Sequence, residues 1–299
     1  MKKTCIVIAG PTAVGKTTLA IQIAKHFNTQ IISADSRQCF TETDIGVAKP
    51  SADELQAVVH YFINSHSIFD TVNAGVFEKY ALEKINEIFT AHDIAIMVGG
   101  TGLYIKSFCQ GIDEVPMIEA GIQEEIKTNF SSNGLQWLQE QVRQHDPVYF
   151  KTGEILNPQR LMRALEVKLS TGHSITKFQT QTKAARSFEL IKIGLELPRQ
   201  LLYERINTRV DQMIKQGLEE EAKKLGVWQH LNALQTVGYR EMFDYFKNKT
   251  SLPKAIESIK INSRHYAKRQ MTWFKKDDEV HWCEPDFDAV MQQINLSMA

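Results

Sequence analysis

The sequence predicts an α/β protein: a parallel sheet flanked by helices, with an all-helical subdomain inserted into it. Three observations lead there. Short apolar runs at residues 4–9, 30–35, 94–98 and 189–195 have the length and β-branched content of buried strands. The first three end in a glycine turn or an acid, and the first runs through its turn straight into a helical pattern. Between Pro116 and Arg186 no strand pattern occurs; amphipathic helical stretches separated by glycine, asparagine or proline take its place. The expected division is residues 1–115 with 187–299 as the core and 116–186 as the insertion. At 299 residues, 43% hydrophobic and 23% charged, the chain can bury a substantial core.

The first run, residues 4–9, is read as a strand and not as a signal peptide, because it is short and leads into glycine. Gly10 to Thr17, "GPTAVGKT", fits G-x-x-x-x-G-K-[ST] in full. Leu19, Ile23 and Phe27 then fall at helical spacing. Strand, glycine loop and helix together are what anion binding needs: backbone N–H groups and the positive end of a helix face a chain of phosphates. This makes the core P-loop NTPase-like. Gly10, Pro11, Thr12, Ala13, Val14, Gly15, Lys16 and Thr17 are the candidate phosphate-binding residues. Lys16 supplies a point charge, and the Thr17 hydroxyl is the candidate Mg²⁺ ligand. The loop alone favours ATP or GTP as ligand.

The second run ends at Asp35, followed by Ser36, Arg37 and Gln38. Sites in open α/β sheets lie outside the carboxyl ends of strands, so Asp35 is expected beside the phosphate loop as a base, a metal ligand or a helix cap. The third run leads into Gly99-Gly100-Thr101-Gly102 with no acid at its end. A motor ATPase would place a metal-binding acid there, so small-molecule kinases and other users of phosphorylated substrates fit better.

The C-terminal stretch is basic. Seven Lys or Arg and one acid, Glu257, lie between Lys254 and Lys276. Lys260, Arg264 and Lys268 form one helical stripe suited to an RNA backbone, while Ile259, Tyr266 and Trp273 are expected to face the core. The chain as a whole has no net charge, with 35 basic and 35 acidic residues, so any nucleic-acid surface must be a local patch. Four scattered cysteines form no metal-ligand spacing and suit a reducing cytoplasm. No stretch is long enough to span a membrane.

Several stretches taken in order, "GPTAVGKTTLA", "IISADSRQ", "TDIGVAKP", "MVGGTGLYIKS", "NPQRLMRALEV", "LQTVGYREMFDY" and "INSRHYAKRQMTWFKK", resemble the tRNA dimethylallyltransferase family from about residue 5 to about residue 282. The resemblance implies that the loop holds the pyrophosphate of dimethylallyl diphosphate with Mg²⁺. It implies transfer of the five-carbon chain to N6 of the adenosine 3′-adjacent to the anticodon. Asp35 matches the family's base, and Arg209 an arginine of the diphosphate site; Lys16, Thr17 and Thr101 complete the catalytic set. Residues matching tRNA contacts are Asp35, Ser36, Arg37, Gln38, Thr101, Gln159, Arg160, Leu161, Met162, Arg163, Thr236, Gly238, Tyr239 and Arg240. The inserted helices would grip the anticodon stem.

The expected partners are the tRNA anticodon stem-loop and dimethylallyl diphosphate, for a monomer with no membrane association. Two departures stand out: Asn157 where many relatives carry Asp, and Cys39-Phe40 where an apolar residue and Tyr are common. The rivals are an adenylate isopentenyltransferase, a small-molecule kinase and an RNA-binding protein with a relic loop. The inserted helices and basic C-terminus speak against the first two, and the intact loop with Asp35 against the last.

Overall fold

The computed structural model describes residues 2–113, 115–179 and 182–298. It divides into two compact units, Met1–Gly111 with Ala185–Ala299, and Ile112–Ala184. The second junction falls just before Arg186, and the reason is local. The Arg186 guanidinium donates to the carbonyls of Phe108 (2.7 Å) and Ser107 (2.9 Å) and to Glu78 (2.7 Å), so the returning chain is pinned to the core before its strand begins.

In the first unit, β1 (Thr4–Ala9) leads through the glycine loop to α1 (Lys16–His26), and β2 (Ile31–Ala34) follows. A 3-10 turn at Ile45–Val47, α2 (Ala52–Ala57) and β3 (His60–Tyr61) precede α3 (Ala74–Ala91), β4 (Ile94–Gly99) and α4 (Gly102–Gln110). The inserted unit contains α5 (Ala120–His145), α6 (Pro147–Thr152) and α7 (Pro158–Thr171). The chain returns as β5 (Glu189–Leu195), then α8 (Arg199–Gln216), α9 (Leu218–Leu225), α10 (Tyr239–Phe246), α11 (Leu252–Phe274), β6 (Val280–Cys283) and α12 (Phe287–Met298).

The described strands form one parallel sheet in the order β3-β2-β4-β1-β5-β6. Alternation of side chains along each strand divides the core. Ile6, Ile8, Ile96, Ile191 and Ile193 pack with α1, α8 and α12 on one side. Cys5, Val7, Ile32, Ala95 and Met97 pack with α3, α4 and the later helices on the other. The register aligns Ala9 with Gly99 and Ala34 with Gly99, which brings three strand ends together. Gly99 is required there, since a Cβ would fall 2.2 Å from the Ala34 carbonyl oxygen.

The inserted unit has its own apolar centre around Leu138, Val142, Leu161, Ala164, Leu165 and Val167. Gly134 (φ 72°, ψ −167°) kinks α5 into two helices. In the core unit, Gly217 (φ 102°) separates α8 from α9. No helix of the described residues is long and apolar enough to cross a membrane.

Candidate active site

The phosphate loop leaves β1 at Gly10, whose φ of 152° and 2.8 Å clearance to the Leu195 carbonyl leave no room for a side chain. Gly15, at φ 108°, turns the chain into α1. Pro11 and Val14 bury their side chains, so those positions shape the loop and offer only backbone to a ligand. Lys16 lies half-buried at the head of α1, and its Nζ donates to the Pro11 carbonyl at 2.7 Å. Arg209, from α8, donates to the Thr12 hydroxyl at 3.0 Å and to the Ala48 carbonyl at 3.3 Å.

Electrostatics here favour an anion. Burial, and then repulsion by Arg209, lowers the Lys16 ammonium to about 7, while the nearby Asp35 carboxylate works against the shift. Burial also lowers Arg209, again opposed by Asp35. Two cations crowded in a desolvated site are relieved by a bound polyanion. Arg205, one turn before Arg209 on α8, adds a third cation; its guanidinium donates to the Val14 carbonyl at 3.4 Å. Sequence reading missed Arg205, although the four-residue spacing from Arg209 was available to find it.

Asp35 sits just past β2. Its Oδ1 accepts the backbone N–H of Arg37 (2.9 Å) and of Gln38 (3.3 Å), so this oxygen caps the turn. Oδ2 takes no hydrogen bond from any described residue, and Asp35 lines the cavity. The carboxylate thus holds its own turn with one oxygen and offers the other. Thr101 does not line the cavity. Its hydroxyl accepts the Ser36 N–H at 3.0 Å and donates to the Ser36 hydroxyl at 3.3 Å, which fixes the turn that carries Asp35. Gln38 ties that turn to the Ala48 carbonyl at 3.0 Å, and Arg37 reaches the Asn232 carbonyl at 2.7 Å.

Two cavities meet at the loop. One, of about 410 Å³, is lined by Thr12, Lys16, Thr17, Asp35 to Gln38, Thr236, Gly238, Arg240, Tyr266, Arg269 and Gln270. The other, of about 650 Å³, is lined by Ala13, Gly15, Lys16, Thr17, Lys49, Arg205 and Arg209, with Asp44 and Glu54 also on its wall. Lys16, Thr17, Ala48, Pro50, Arg209 and Met213 belong to both.

Gln270 was not expected. Though on α11, it is buried; it accepts the Thr12 N–H at 2.9 Å and donates to the Gly100 carbonyl at 2.9 Å. The signal was present: Ile259, Ala267, Gln270 and Phe274 form one row of the helix, with a single polar member in it. Glu221 was also missed. Its carboxylate accepts the backbone N–H groups of Asp44, Ile45 and Gly46 (3.1, 2.8 and 2.9 Å) and the Tyr239 hydroxyl (2.6 Å).

Several expectations need correction. Tyr239 is fully buried against Gly46, where a Cβ would lie 2.6 Å from the ring; it holds the 45–47 turn and has no surface to offer RNA. Leu161 is likewise buried in the inserted unit's apolar centre, and Met162 packs against that centre. In the same unit Gln159 and Arg160 are exposed, Arg160 pairing with Glu154, and Arg163 pairs with Glu166.

Of the stripe of Lys260, Arg264 and Lys268, the first two face α8 and not solvent, while Lys268 is exposed and makes no ion pair among the described residues. Lys260 pairs with Asp211 at 2.6 Å, and Arg264 donates to Asn207 at 2.7 Å and pairs with Glu257. Tyr266 and Trp273 are 36% and 37% exposed, not core. A strict seven-residue spacing drifts by about 20° per heptad around a straight helix, so two heptads carry Trp273 away from the buried line that Ile259 starts. Asn157 caps α7 by accepting the Arg160 N–H at 3.3 Å, which needs no charge. Cys39 and Phe40 are buried packing residues.

A family model described as IPP transferase matches residues 38–277. The tRNA dimethylallyltransferase of Christiangramia forsetii is 48% identical over 99% of this chain and 100% of its own length. The tRNA dimethylallyltransferase 1 of Bacteroides thetaiotaomicron is 42% identical over 98% of this chain and 96% of its own. Among solved structures, the tRNA isopentenylpyrophosphate transferase of Bacillus halodurans is 34% identical with a TM-score of 0.73, covering 99% of this chain and 96% of the other. A eukaryotic dimethylallyltransferase acting on tRNA is 25% identical with a TM-score of 0.83, covering 99% and 79%.

Proposed function

The chain belongs to the IPP transferase family, and we propose on that footing that it transfers the dimethylallyl group of dimethylallyl diphosphate to N6 of the adenosine 3′-adjacent to the anticodon in tRNA, releasing diphosphate. The observation that carries this reading is the meeting of two cavities at Lys16, Thr17 and Arg209. A donor and an acceptor can enter from different sides and react where the cations lie.

The cavity with Arg205 suits the diphosphate. Loop N–H groups, Lys16, Arg205 and Arg209 would meet the charge that grows as the C–O bond of the donor breaks. The cavity of about 410 Å³, bordered by the Asp35 turn and by Thr236 to Arg240, suits an extruded adenine. N6 is a weak nucleophile because its lone pair is shared with the ring. Asp35 Oδ2, free of protein hydrogen bonds, would take the N6 proton as the N–C bond forms.

Mg²⁺ fits as an ion carried by the diphosphate. The described residues contain no cluster of three or more acids, histidines or cysteines, and the protein's own donor would be the Thr17 hydroxyl, which borders both cavities. When bound, the ion would neutralise phosphate charge. Exposed Gln159 and Arg160 support a stem-contacting role for the inserted unit. The described cysteines are all free, as suits the cytoplasm.

The test is a mass assay with Mg²⁺, dimethylallyl diphosphate and an anticodon stem-loop, with AMP and ATP in parallel tubes. A five-carbon gain on the adenosine beside the anticodon is the expected result. A gain on AMP alone, or ATP consumption without prenyl transfer, would overturn it.

A further inference from the structure

Glu221 grips the start of a turn whose end holds two site residues. The 3-10 turn at Ile45–Val47 is too short to use the N–H groups at its own start. The Glu221 carboxylate, from α9, takes all three: Oε2 accepts those of Asp44 and Ile45, and Oε1 that of Gly46. At the far end, the Ala48 carbonyl accepts the Arg209 guanidinium at 3.3 Å and the Gln38 side chain at 3.0 Å. Glu221 lines neither cavity, whereas Ala48 lines both.

The turn is held and not merely placed. Ala48 has φ 49° and ψ 56°, a left-handed conformation that a residue with a side chain adopts at a cost. Such a residue persists where its surroundings fix it. Just beyond it, Lys49 Nζ donates to the Phe40 carbonyl and to Asn64 Oδ1, each at 2.6 Å. The two grips come from one corner of the chain, since Arg209 lies on α8, Glu221 on α9, and Gly217 turns one helix into the other.

We infer that Glu221 is a positioning residue for the diphosphate: it anchors the N–H end of this turn, aims the Ala48 carbonyl at Arg209, and so fixes the guanidinium beside the phosphate loop. The inference rests on the reading of the cavity of about 650 Å³ as the diphosphate site. Arg209 is strung between the Ala48 carbonyl and the Thr12 hydroxyl, the latter at 3.0 Å. With the turn loosened, only the Thr12 end remains. The long side chain must then be ordered when the anion arrives, and that ordering weakens binding.

The experiment titrates pyrophosphate with Mg²⁺ into the full chain by calorimetry, with urea unfolding of each variant alongside. Glu221→Gln keeps the size, but a carboxamide offers one oxygen and turns an N–H₂ toward the remaining N–H groups. Pyrophosphate affinity is expected to fall about tenfold, the worth of one hydrogen bond to a charged group, and donor KM should rise in step. Glu221→Asp keeps the charge one methylene short and should lose less. The decisive arm repeats the titration in an Arg209→Gln background. There Glu221→Gln should cost nothing more, because its effect runs through Arg209. Should Glu221→Gln fail to fold, Glu221→Asp carries the same cycle. Unchanged pyrophosphate affinity in both variants would overturn the inference. So would a penalty of equal size with and without Arg209, which would mark Glu221 as a support for the fold alone. Binding is read without turnover, so a wild type that binds pyrophosphate but transfers no prenyl group would count against the proposed reaction and not against this role of Glu221.

Discussion

The side chain of Gln270 accepts the Thr12 N–H at 2.9 Å, so a helix 258 residues downstream holds the phosphate loop. Its other end donates to the Gly100 carbonyl, beside the Thr101 turn that orients Ser36 and Asp35. One buried carboxamide therefore spans the phosphate loop and the turn beside Asp35. Gln270→Met keeps the volume but leaves Thr12 N–H and the Gly100 carbonyl without partners, at about 1–3 kcal/mol for each unsatisfied group. Lower stability and a donor KM raised by about tenfold are expected, read by urea unfolding and pyrophosphate titration. Unchanged values for both would show that the loop holds its shape unaided.

Asp35 has two tasks on two oxygens, and Asn separates them. Asn can keep the oxygen that accepts the Arg37 and Gln38 N–H groups, and it removes the base. Asp35→Asn is expected to bind pyrophosphate at least as tightly as wild type, since a carboxylate facing the anion is gone. Prenyl transfer should fall by about 10² to 10⁴-fold, the usual worth of a general base. Single-turnover mass assays check this, and near-normal transfer would end the base assignment.

The parts of this architecture that could be read from the chain are those written in contiguous residues. The strands at residues 4–9 and 94–99, the glycine loop and Asp35 each carry their signal locally. Strands β3 and β6, of two and four residues at the sheet edges, are too short to show a period. Gln270 and Glu221 escaped because their meaning lies in partners 258 and about 175 residues away. Lys260 and Arg264 of the basic stripe were misread for a different reason. Spacing shows which residues share a helix face, but the face that points outward is set by Asp211 and Asn207 on another helix.

The Cys39 thiol lies behind the Asp35 turn, where burial and then the Asp35 carboxylate push it up to about 12 from an ordinary value of 9.0. Between those values the native chain keeps this proton and the unfolded chain loses it. The unfolded state binds fewer protons there, so stability falls as pH rises through the window, by up to about 1.4 kcal/mol per pH unit for one group. Urea midpoints from pH 9 to 11 should decline less steeply in Cys39→Ala than in wild type. Equal slopes would show that the thiol titrates normally in the native protein.

Tyr239 distinguishes support from contact. Its hydroxyl donates to Glu221, whose carboxylate also gathers three backbone N–H groups of the 44–46 segment. Tyr239→Phe removes one bond to a charged acceptor, worth about 1.5–3 kcal/mol, and leaves the ring over Gly46. Reduced stability with unchanged stem-loop affinity is expected from unfolding and anisotropy together. Weaker RNA binding at unchanged stability would put the side chain back at the RNA surface.

Asn157 makes the same distinction in the inserted unit. Its side chain caps α7 through the Arg160 N–H, and Asp in that place could accept the same bond while adding a favourable charge at a helix N-terminus. Asn157→Ala should cost about 1 kcal/mol locally, seen as roughly fivefold faster hydrogen exchange at the Arg160 amide. Asn157→Asp should slow that exchange or leave it unchanged, with little effect on stem-loop affinity. A large loss of RNA binding in Asn157→Asp, with exchange protected, would mean that the uncharged amide faces phosphate. Its departure from the common Asp would then be a matter of recognition and not of capping.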